Sequence, residues 1–179
     1  MKAVLISIRP KWCELIASGE KTIDVRKTRP KSETPFKCYI YCTLDGGIKG
    51  DMLLKDGHVS KVVCGMVIGE FVLDDLLEIE NLGSSFRVKG DEDGHLTHMA
   101  ATASGLWFSD MKAYLGEKNG WGWGISELKI YDKPRELREF MSLVRSEDWE
   151  KGTDDFCING RFYKTLKRPP QSWCYVEEV

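Results

Sequence analysis

Apolar side chains recur at every second position in several stretches of this chain, the period of a β-strand that buries one face. The run Ala3–Ile8 predicts a first strand, and the next apolar face predicts a short helix that begins at Pro10 and stops at Gly19. The alternation over Lys21–Thr28 predicts a half-buried second strand. Further strands are predicted over residues 36–43, 61–73, 121–131 and 172–178, and short helical segments over 109–115 and 132–140.

Two stretches lack any such period. Residues 83–105 are rich in glycine and acidic side chains and predict a long loop, and residues 142–160 are polar and predict a second irregular insertion. The strands do not alternate regularly with helices, which disfavours a doubly wound parallel sheet. We therefore predict an α+β fold, a small, partly closed β-barrel with peripheral short helices, forming a single domain over residues 1–179.

Length and composition fit one globular domain. The chain has 179 residues, 42% hydrophobic and 30% charged, and can bury a core without disulfides. Apolar runs such as Val62–Ile68 are too short to span a bilayer, and no secretory signal is expected in the first residues. The six scattered cysteines lie mostly in apolar segments and are interpreted as reduced core residues, which predicts a cytoplasmic protein.

Charge is unevenly distributed, although the formal net charge is only −2. Residues 1–37 hold nine Lys and Arg against four Asp and Glu, and residues 161–170 hold four basic residues and no acid. Residues 70–98 hold eight acids against two bases. Such segregation predicts that the two ends of the chain form one basic face suited to nucleic acid, the alternative being a mixed solvated surface.

No metal or other cofactor is predicted. Cys38 and Cys42 would lie about 13 Å apart on one strand, too far to share a zinc ion. His95 and His98 lack a strong third ligand. The glycines of residues 120–124 lack the Gly-Lys-Ser/Thr ending of a phosphate-binding loop.

Three ionisable residues, Lys21, Asp24 and Arg26, lie close together in the second predicted strand. Asp24 and Arg26 share a face but are about 6.6 Å apart along it, so each is expected to engage a third group. Glu70 is a candidate, because its strand parity places it among apolar residues, where an ionised carboxylate needs a cation such as Lys21 or Arg26. Two interpretations remain open: a buried ion-pair network that fixes the register of the sheet, or a cleft in which Lys21 and Arg26 bind a phosphate or a base edge.

The spacing of these residues resembles the signature of the ASCH family, which are small PUA-like barrels. The matching positions are Gly19, Lys21, Asp24 and Arg26, and the strand before them is similar to the family's opening strand. Two later segments are similar to parts of phage- and prophage-type ASCH proteins, residues 122–134 and 168–175. The resemblance implies a PUA-like fold with a cleft, lined by the motif, that binds RNA or a modified nucleoside.

A binding module is therefore the leading hypothesis, with RNA or a nucleoside as its partner. Ser7 and Arg9 end the first predicted strand, where the cleft of a PUA-like fold would open, although plain surface positions are an equal alternative. Lys21 and Arg26 would bind the ligand, and Trp123 would offer a ring on which a base stacks unless it packs in the core.

A hydrolase is the alternative hypothesis. Some ASCH proteins that resemble this chain are amidohydrolases acting on N4-acetylcytidine, and others are ribonucleases. The amidohydrolases use a lysine, a threonine nucleophile and a glutamate, which implies Lys21, Asp24 and Glu70 as the catalytic set here. Asp24 stands where the threonine would be, and that departure counts against the same covalent mechanism. A protein–protein adaptor is a third hypothesis without a sequence feature to support it.

Overall fold

The computed structural model describes residues 2–44, 50–53, 59–148 and 155–177. The chain forms two compact units. The first unit comprises Met1–Glu14, Lys37–Phe71 and Lys129–Val179, and the second comprises Leu15–Phe36 and Val72–Leu128. The helices are α1 (Pro10–Ala17), α2 (His95–Ser104) and α3 (Phe108–Leu115), with 3-10 turns at Leu137–Glu139 and Ser146–Asp148. The strands are β1 (Lys2–Ile8), β2 (Ile23–Arg26), β3 (Phe36–Cys42), β4 (Gly50–Leu53), β5 (Val59–Cys64), β6 (Val67–Leu73), β7 (Leu76–Asn81), β8 (Phe86–Val88), β9 (Gly120–Gly124), β10 (Ser126–Arg135), β11 (Met141–Val144), β12 (Asp155–Ile158), β13 (Arg161–Thr165) and β14 (Trp173–Glu177).

An eight-stranded sheet in the order β10-β6-β3-β1-β14-β11-β13-β12 is built mainly from the first unit. Strand β1 is apolar on both faces and lies in the interior of the sheet, parallel to β3 and antiparallel to β14. The core of this unit gathers Tyr39 and Phe140, whose rings meet edge to face at 4.8 Å between centroids. Other buried members of the same cluster are Ala3, Leu5, Tyr41, Val67, Leu137 and Val176.

The second unit carries a four-stranded sheet in the order β2-β9-β7-β8, with helices α2 and α3. Its apolar core contains Val25 of β2 and Leu115 of α3, together with Ile79, Phe86 and Met111. Neighbouring strands in this sheet are antiparallel, and Asp24 faces Trp123 across the β2–β9 pair while Val25 faces Gly122. Because directly opposed residues project from the same face, Asp24 lies on the opposite side of the sheet from the Val25 core.

The alternating Gly-Trp sequence of β9 follows from this geometry. A Cβ atom on Gly120 would lie 2.8 Å from Cδ1 of Leu115, and one on Gly122 would lie 3.1 Å from Cγ2 of Ile23. Glycine is therefore required on the helix-facing side, where larger side chains already fill the space. Trp121 and Trp123 project from the other face, which carries Asp24 and Arg26.

The loop predicted over residues 83–105 was wrong for much of its length, because β8 and α2 lie within it. Helix α2 has ten residues, and Gly94 rather than a serine, threonine or asparagine immediately precedes it. Asp91, which precedes Gly94, caps the helix instead. Its carboxylate oxygens accept hydrogen bonds from the backbone N–H groups of Leu96 and Thr97 at 3.2 and 2.6 Å. The helix ends at Gly105, whose φ of 64° is the left-handed conformation that favours glycine.

The described part of the chain is mostly sheet with three helices, which is compatible with the predicted α+β class. The predicted insertion over residues 142–160 contains most of β11 and all of β12, which extend the edge of the large sheet. Among the described residues the sheets are open, with β10 and β12 at opposite edges of the eight-stranded one. The predicted closure into a barrel is therefore wrong. The presence of short strands in a sequence does not determine whether the edges of a sheet pair with each other. No helix in the described part of the chain is long and apolar enough to cross a membrane.

All six cysteines lie in the described ranges and are outside any disulfide. Four of them are buried as predicted: Cys13, Cys38, Cys42 and Cys64. Cys157 is exposed, which corrects the prediction for that residue, because it lies on β12 at the edge of the large sheet. Cys174 is intermediate in exposure, and burial raises its pKa to about 11.

Candidate functional site

Lys21 is fixed at the point where the chain leaves α1 and enters β2. Its backbone N–H donates to the carbonyl of Leu15 at 2.8 Å, and its Nζ donates to the carbonyls of Ile23 and Ser104 at 2.8 and 2.7 Å. Ser104 is the last residue of α2, so the ammonium group lies against the negative end of the helix and binds one of its terminal carbonyls. This role of Lys21 could not be predicted from the sequence, because α2 itself was not predicted.

Asp24 lies between two cations. Its Oδ1 is 3.5 Å from Nζ of Lys21, and its Oδ2 accepts a hydrogen bond from Nε of Arg26 at 2.6 Å. Only 2% of Lys21, 5% of Asp24 and 7% of Arg26 is exposed, so the three form a buried charged network. The expectation that the separation along the strand is too long for a direct contact between Asp24 and Arg26 was wrong, because the long arginine side chain spans it. Asp24 also engages a third group, as expected, and that group is Lys21.

Burial and the charges in this network together shift the pKa values of Asp24 and Lys21. Desolvation is the largest influence on Asp24 and would raise its pKa, but the charges and hydrogen bonds of Arg26 and Lys21 outweigh it and hold the pKa below the usual range. Burial lowers the pKa of Lys21, and the attraction of Asp24 opposes this shift. The ammonium group has three donors, and three acceptors of the protein lie around it.

Trp123 is fully buried at 0% exposure, and its Nε1 donates to the carbonyl of Thr28 at 3.3 Å. A base has no exposed ring face to stack on, so the prediction of Trp123 as a ligand-binding residue does not fit this structure and the core alternative does. Trp121, two residues earlier, is half-buried and carries the guanidinium of Arg29 at 4.7 Å from its ring centroid.

Glu70 lies on β6 in the first unit, half-buried, with partners of its own. It accepts a hydrogen bond from the hydroxyl of Tyr131 at 2.6 Å, and its other oxygen is 3.5 Å from Nζ of Lys37. Burial, followed by the hydrogen bond and charge of Glu70, raises the pKa of Tyr131. The expectation that Glu70 needs a cation fits the structure, with Lys37 in that place. Its convergence with Lys21 and Asp24 stays a prediction.

Ser7 and Arg9 lie at the end of β1 in the first unit. Ser7 is buried, with its hydroxyl donating to the carbonyl of Pro170 at 2.7 Å and its backbone N–H donating to Ser172 at 2.9 Å. These bonds bring the basic segment before Pro170 to the same end of the sheet as the exposed Arg9. We call the four exposed cations that flank these bonded residues in sequence the basic strip: Arg9, Lys11, Lys167 and Arg168.

The residues considered for metal binding lie on β3 and α2. Cys38 and Cys42 are buried on β3, and His95 and His98 lie in the first turn of α2. Within the described ranges, no group of three or more His, Cys, Asp or Glu side chains has the geometry to hold a metal ion.

Comparison with solved structures shows which fold this is. The chain superposes on the crystal structure of ASCH from Zymomonas mobilis with a TM-score of 0.58 and 16% identity, over 98% of this chain and 88% of that one. Two single-residue variants of the Zymomonas mobilis protein give TM-scores of 0.56 and 0.55 at 15% identity, covering 99% and 98% of this chain and 92% and 89% of theirs. No protein-family model and no curated protein matches the sequence. The likeness shows that the chain shares the fold of ASCH proteins.

Proposed function

We propose that the protein is a cytoplasmic ASCH-type module, of the phage and prophage kind that its sequence resembles, which binds RNA or a modified nucleoside as one PUA-like domain. The observation that carries the proposal is the pair of bonds from Ser7 to Pro170 and Ser172, which joins the two basic stretches of the sequence at one end of β1. The shared fold with ASCH proteins supports the same assignment.

The basic strip has the properties of a phosphate-contacting surface. Its four cations are exposed, and they come from segments far apart in sequence that meet at the Ser7 junction. Nζ of Lys11 lies 4.5 Å from the ring centroid of Trp12, which restricts that side chain on the surface. Exposed lysine and arginine side chains bind nucleic acid by neutralising phosphates and releasing counterions.

The motif network has a positioning role in this proposal. Lys21 holds the end of α2, and Asp24 connects Lys21 to Arg26, so the network fixes the segment between α1 and β2. Its three side chains are buried, and their hydrogen bonds serve the protein itself. The proposed ligand is therefore contacted by the exposed groups of the basic strip, while Lys21 and Arg26 keep their own segment of the second unit in shape.

The hydrolase remains the second candidate because Lys21 fits the lysine of the amidohydrolases and burial lowers its pKa, as is common at catalytic sites. Structural ion-pair networks produce the same shift, and the lowered pKa of Asp24 opposes a catalytic role for that residue. The binding module therefore ranks first.

Salt dependence of RNA binding tests the proposal. Anisotropy of a labelled single-stranded RNA should report a logarithmic slope against salt of about −3 for four phosphate contacts, which is a loss of about fiftyfold between 50 and 200 mM salt. Arg9→Ala should weaken binding and reduce the slope by about one contact. Arg145→Ala is the matched control, an exposed arginine of the first unit outside the strip, and should bind like the native protein. Flat salt dependence, or absence of binding at low salt, contradicts the proposal.

A further inference from the structure

The first unit contains a concave pocket of about 730 Å³ at one end of the large sheet. Its volume lies within the range of about 300–1,000 Å³ that is typical of small-molecule sites. The walls come from strand ends and the segments that follow them. The side chains important for the argument are Tyr41, Glu136, Arg138, Phe156, Thr165 and Lys167.

Two aromatic side chains line the pocket, one of them buried and the other about half exposed. Tyr41 is 5% exposed and lies at the end of β3, whereas Phe156 on the edge strand β12 is 48% exposed. A phenylalanine ring left half in water contributes little to the core, but it offers one face to a flat ligand. Nucleobases use such rings as stacking platforms.

Two exposed cations border the same pocket. Arg138 lies in the 3-10 turn after β10, and Lys167 lies in the segment after β13. The backbone N–H of Leu166 donates to the carbonyl of Phe140 at 2.9 Å, which holds these two segments next to each other. An arginine and a lysine presented together form a common phosphate-binding arrangement.

Acceptor groups complete the lining. Glu136 supplies a half-buried carboxylate, and Thr165 supplies a hydroxyl. Such oxygens accept hydrogen bonds from the amino group of a base or from the hydroxyls of ribose. A ring for stacking, two cations and these acceptors together fit a ligand that is both aromatic and anionic.

We propose that this pocket binds one nucleotide, with its base stacked on Phe156 and its phosphate held by Arg138 and Lys167. The inference deepens and rests on the proposed RNA-binding function, because the pocket and the basic strip share one cation. Lys167 belongs to both, and Pro169 lines the pocket immediately before Pro170, which bonds to Ser7. A strand of RNA lying along the strip would thus place one nucleotide in the pocket.

Calorimetric titration of the full chain with adenosine 5′-monophosphate tests the inference, with adenosine and inorganic phosphate as half-ligands. The complete nucleotide should bind at least tenfold more tightly than either half, and Phe156→Ala or Arg138→Ala should each weaken it by about tenfold. Leu143→Ala and Lys164→Ala are the matched controls, since both side chains are exposed on the same part of the sheet and neither lines the pocket. Circular dichroism of each variant verifies that it is folded.

The outcomes separate the pocket from the strip. Absence of nucleotide binding up to about 10 mM, or binding unchanged by Phe156→Ala, overturns the inference, and salt-dependent RNA binding would still support the proposed function. Inorganic phosphate binding as tightly as the nucleotide also overturns it, because stacking would then contribute nothing. Nucleotide binding lost in Phe156→Ala, in a protein that does not bind RNA, supports the pocket and contradicts the RNA-binding part of the proposed function.

Discussion

Nε of Arg26 donates a hydrogen bond to Oδ2 of Asp24 at 2.6 Å, and the two residues lie two positions apart on the same strand, β2. The guanidinium folds back along the strand face, and Lys21 approaches the other carboxylate oxygen at 3.5 Å. One buried carboxylate therefore serves two buried cations. The network depends on Asp24 more than on either partner, because either partner lost still leaves Asp24 with a counter-charge.

Asp24→Asn should be strongly destabilising. It leaves Lys21 and Arg26 buried without their shared carboxylate, and removing one partner of a buried ion pair costs about 3–5 kcal/mol. The free energy of unfolding from urea titration measures this loss. Glu20→Gln, at an exposed acid one residue before Lys21, should change it by less than about 0.5 kcal/mol.

Lys21→Met should cost less, about 1–3 kcal/mol, because it leaves the carbonyls of Ser104 and Ile23 without this donor but keeps the Asp24–Arg26 pair. The loss should be concentrated in α2, and hydrogen exchange of its last turn would report it. A Lys21→Met variant less stable than Asp24→Asn would contradict the central position of Asp24 in the network.

The cap on α2 makes stability depend on pH in the acid range. The hydrogen bond from the Thr97 hydroxyl and those from the backbone N–H groups of Thr97 and Leu96 lower the pKa of Asp91 from 3.8 to about 2. Because the folded pKa is the lower one, this contribution is fully present above about pH 4 and is lost as the pH falls towards 2. The stability difference between the native protein and Asp91→Asn should therefore shrink between about pH 5 and about pH 2.5. A difference that stays constant over that range would contradict the role of Asp91.

Gly120→Ala should destabilise the second unit. The added Cβ would lie 2.8 and 2.9 Å from the two Cδ atoms of Leu115, which is buried and has little room to move. Overpacking of this kind typically costs about 1–3 kcal/mol. A double-mutant cycle with Leu115→Val checks the cause. Because valine is smaller, Gly120→Ala should lower the free energy of unfolding by less in the Leu115→Val background than in the native one. Strictly additive effects would show that the clash is not with Leu115.

Much of the fold could be predicted where a strand or helix buries a regular face. Strand β1, helix α1 and strand β3 were predicted within a residue or two of their observed limits, because apolar periodicity marks them. Helix α2 could not be predicted in this way, because it starts after Gly94 and its N-terminal cap comes from Asp91. Sheet closure depends on which strand edges pair, information that periodicity does not contain. The single PUA-like domain over residues 1–179 stays a prediction.

The candidate site, like the fold, could be predicted only where a local pattern in the sequence determines it. The spacing of Lys21, Asp24 and Arg26 places them within one short segment, although the direct bond between Asp24 and Arg26 was not expected. The partners that come from elsewhere in the chain were missed: Ser104 binds Lys21, and Lys37 binds Glu70. Such pairs are decided by tertiary packing, and no local pattern in the sequence indicates them. The role of Trp123 was ambiguous, because strand parity indicates on which face of the sheet a side chain lies but not whether other residues cover that face.

The last prediction concerns catalysis: the native protein should not release cytidine from N4-acetylcytidine. A general base works best with a pKa near the operating pH, whereas Arg26 and Lys21 hold the pKa of Asp24 below its usual range and occupy both of its oxygens. Chromatography of the substrate with stoichiometric protein should give the same cytidine yield as buffer alone. Asp24→Thr restores the residue type of the amidohydrolases, but it should destabilise the protein rather than activate it, because threonine leaves two buried cations without a counter-charge. Cytidine release by the native protein that falls about a hundredfold or more in Lys21→Ala, with folding verified by circular dichroism, would make the protein a hydrolase and overturn the order of the two candidates.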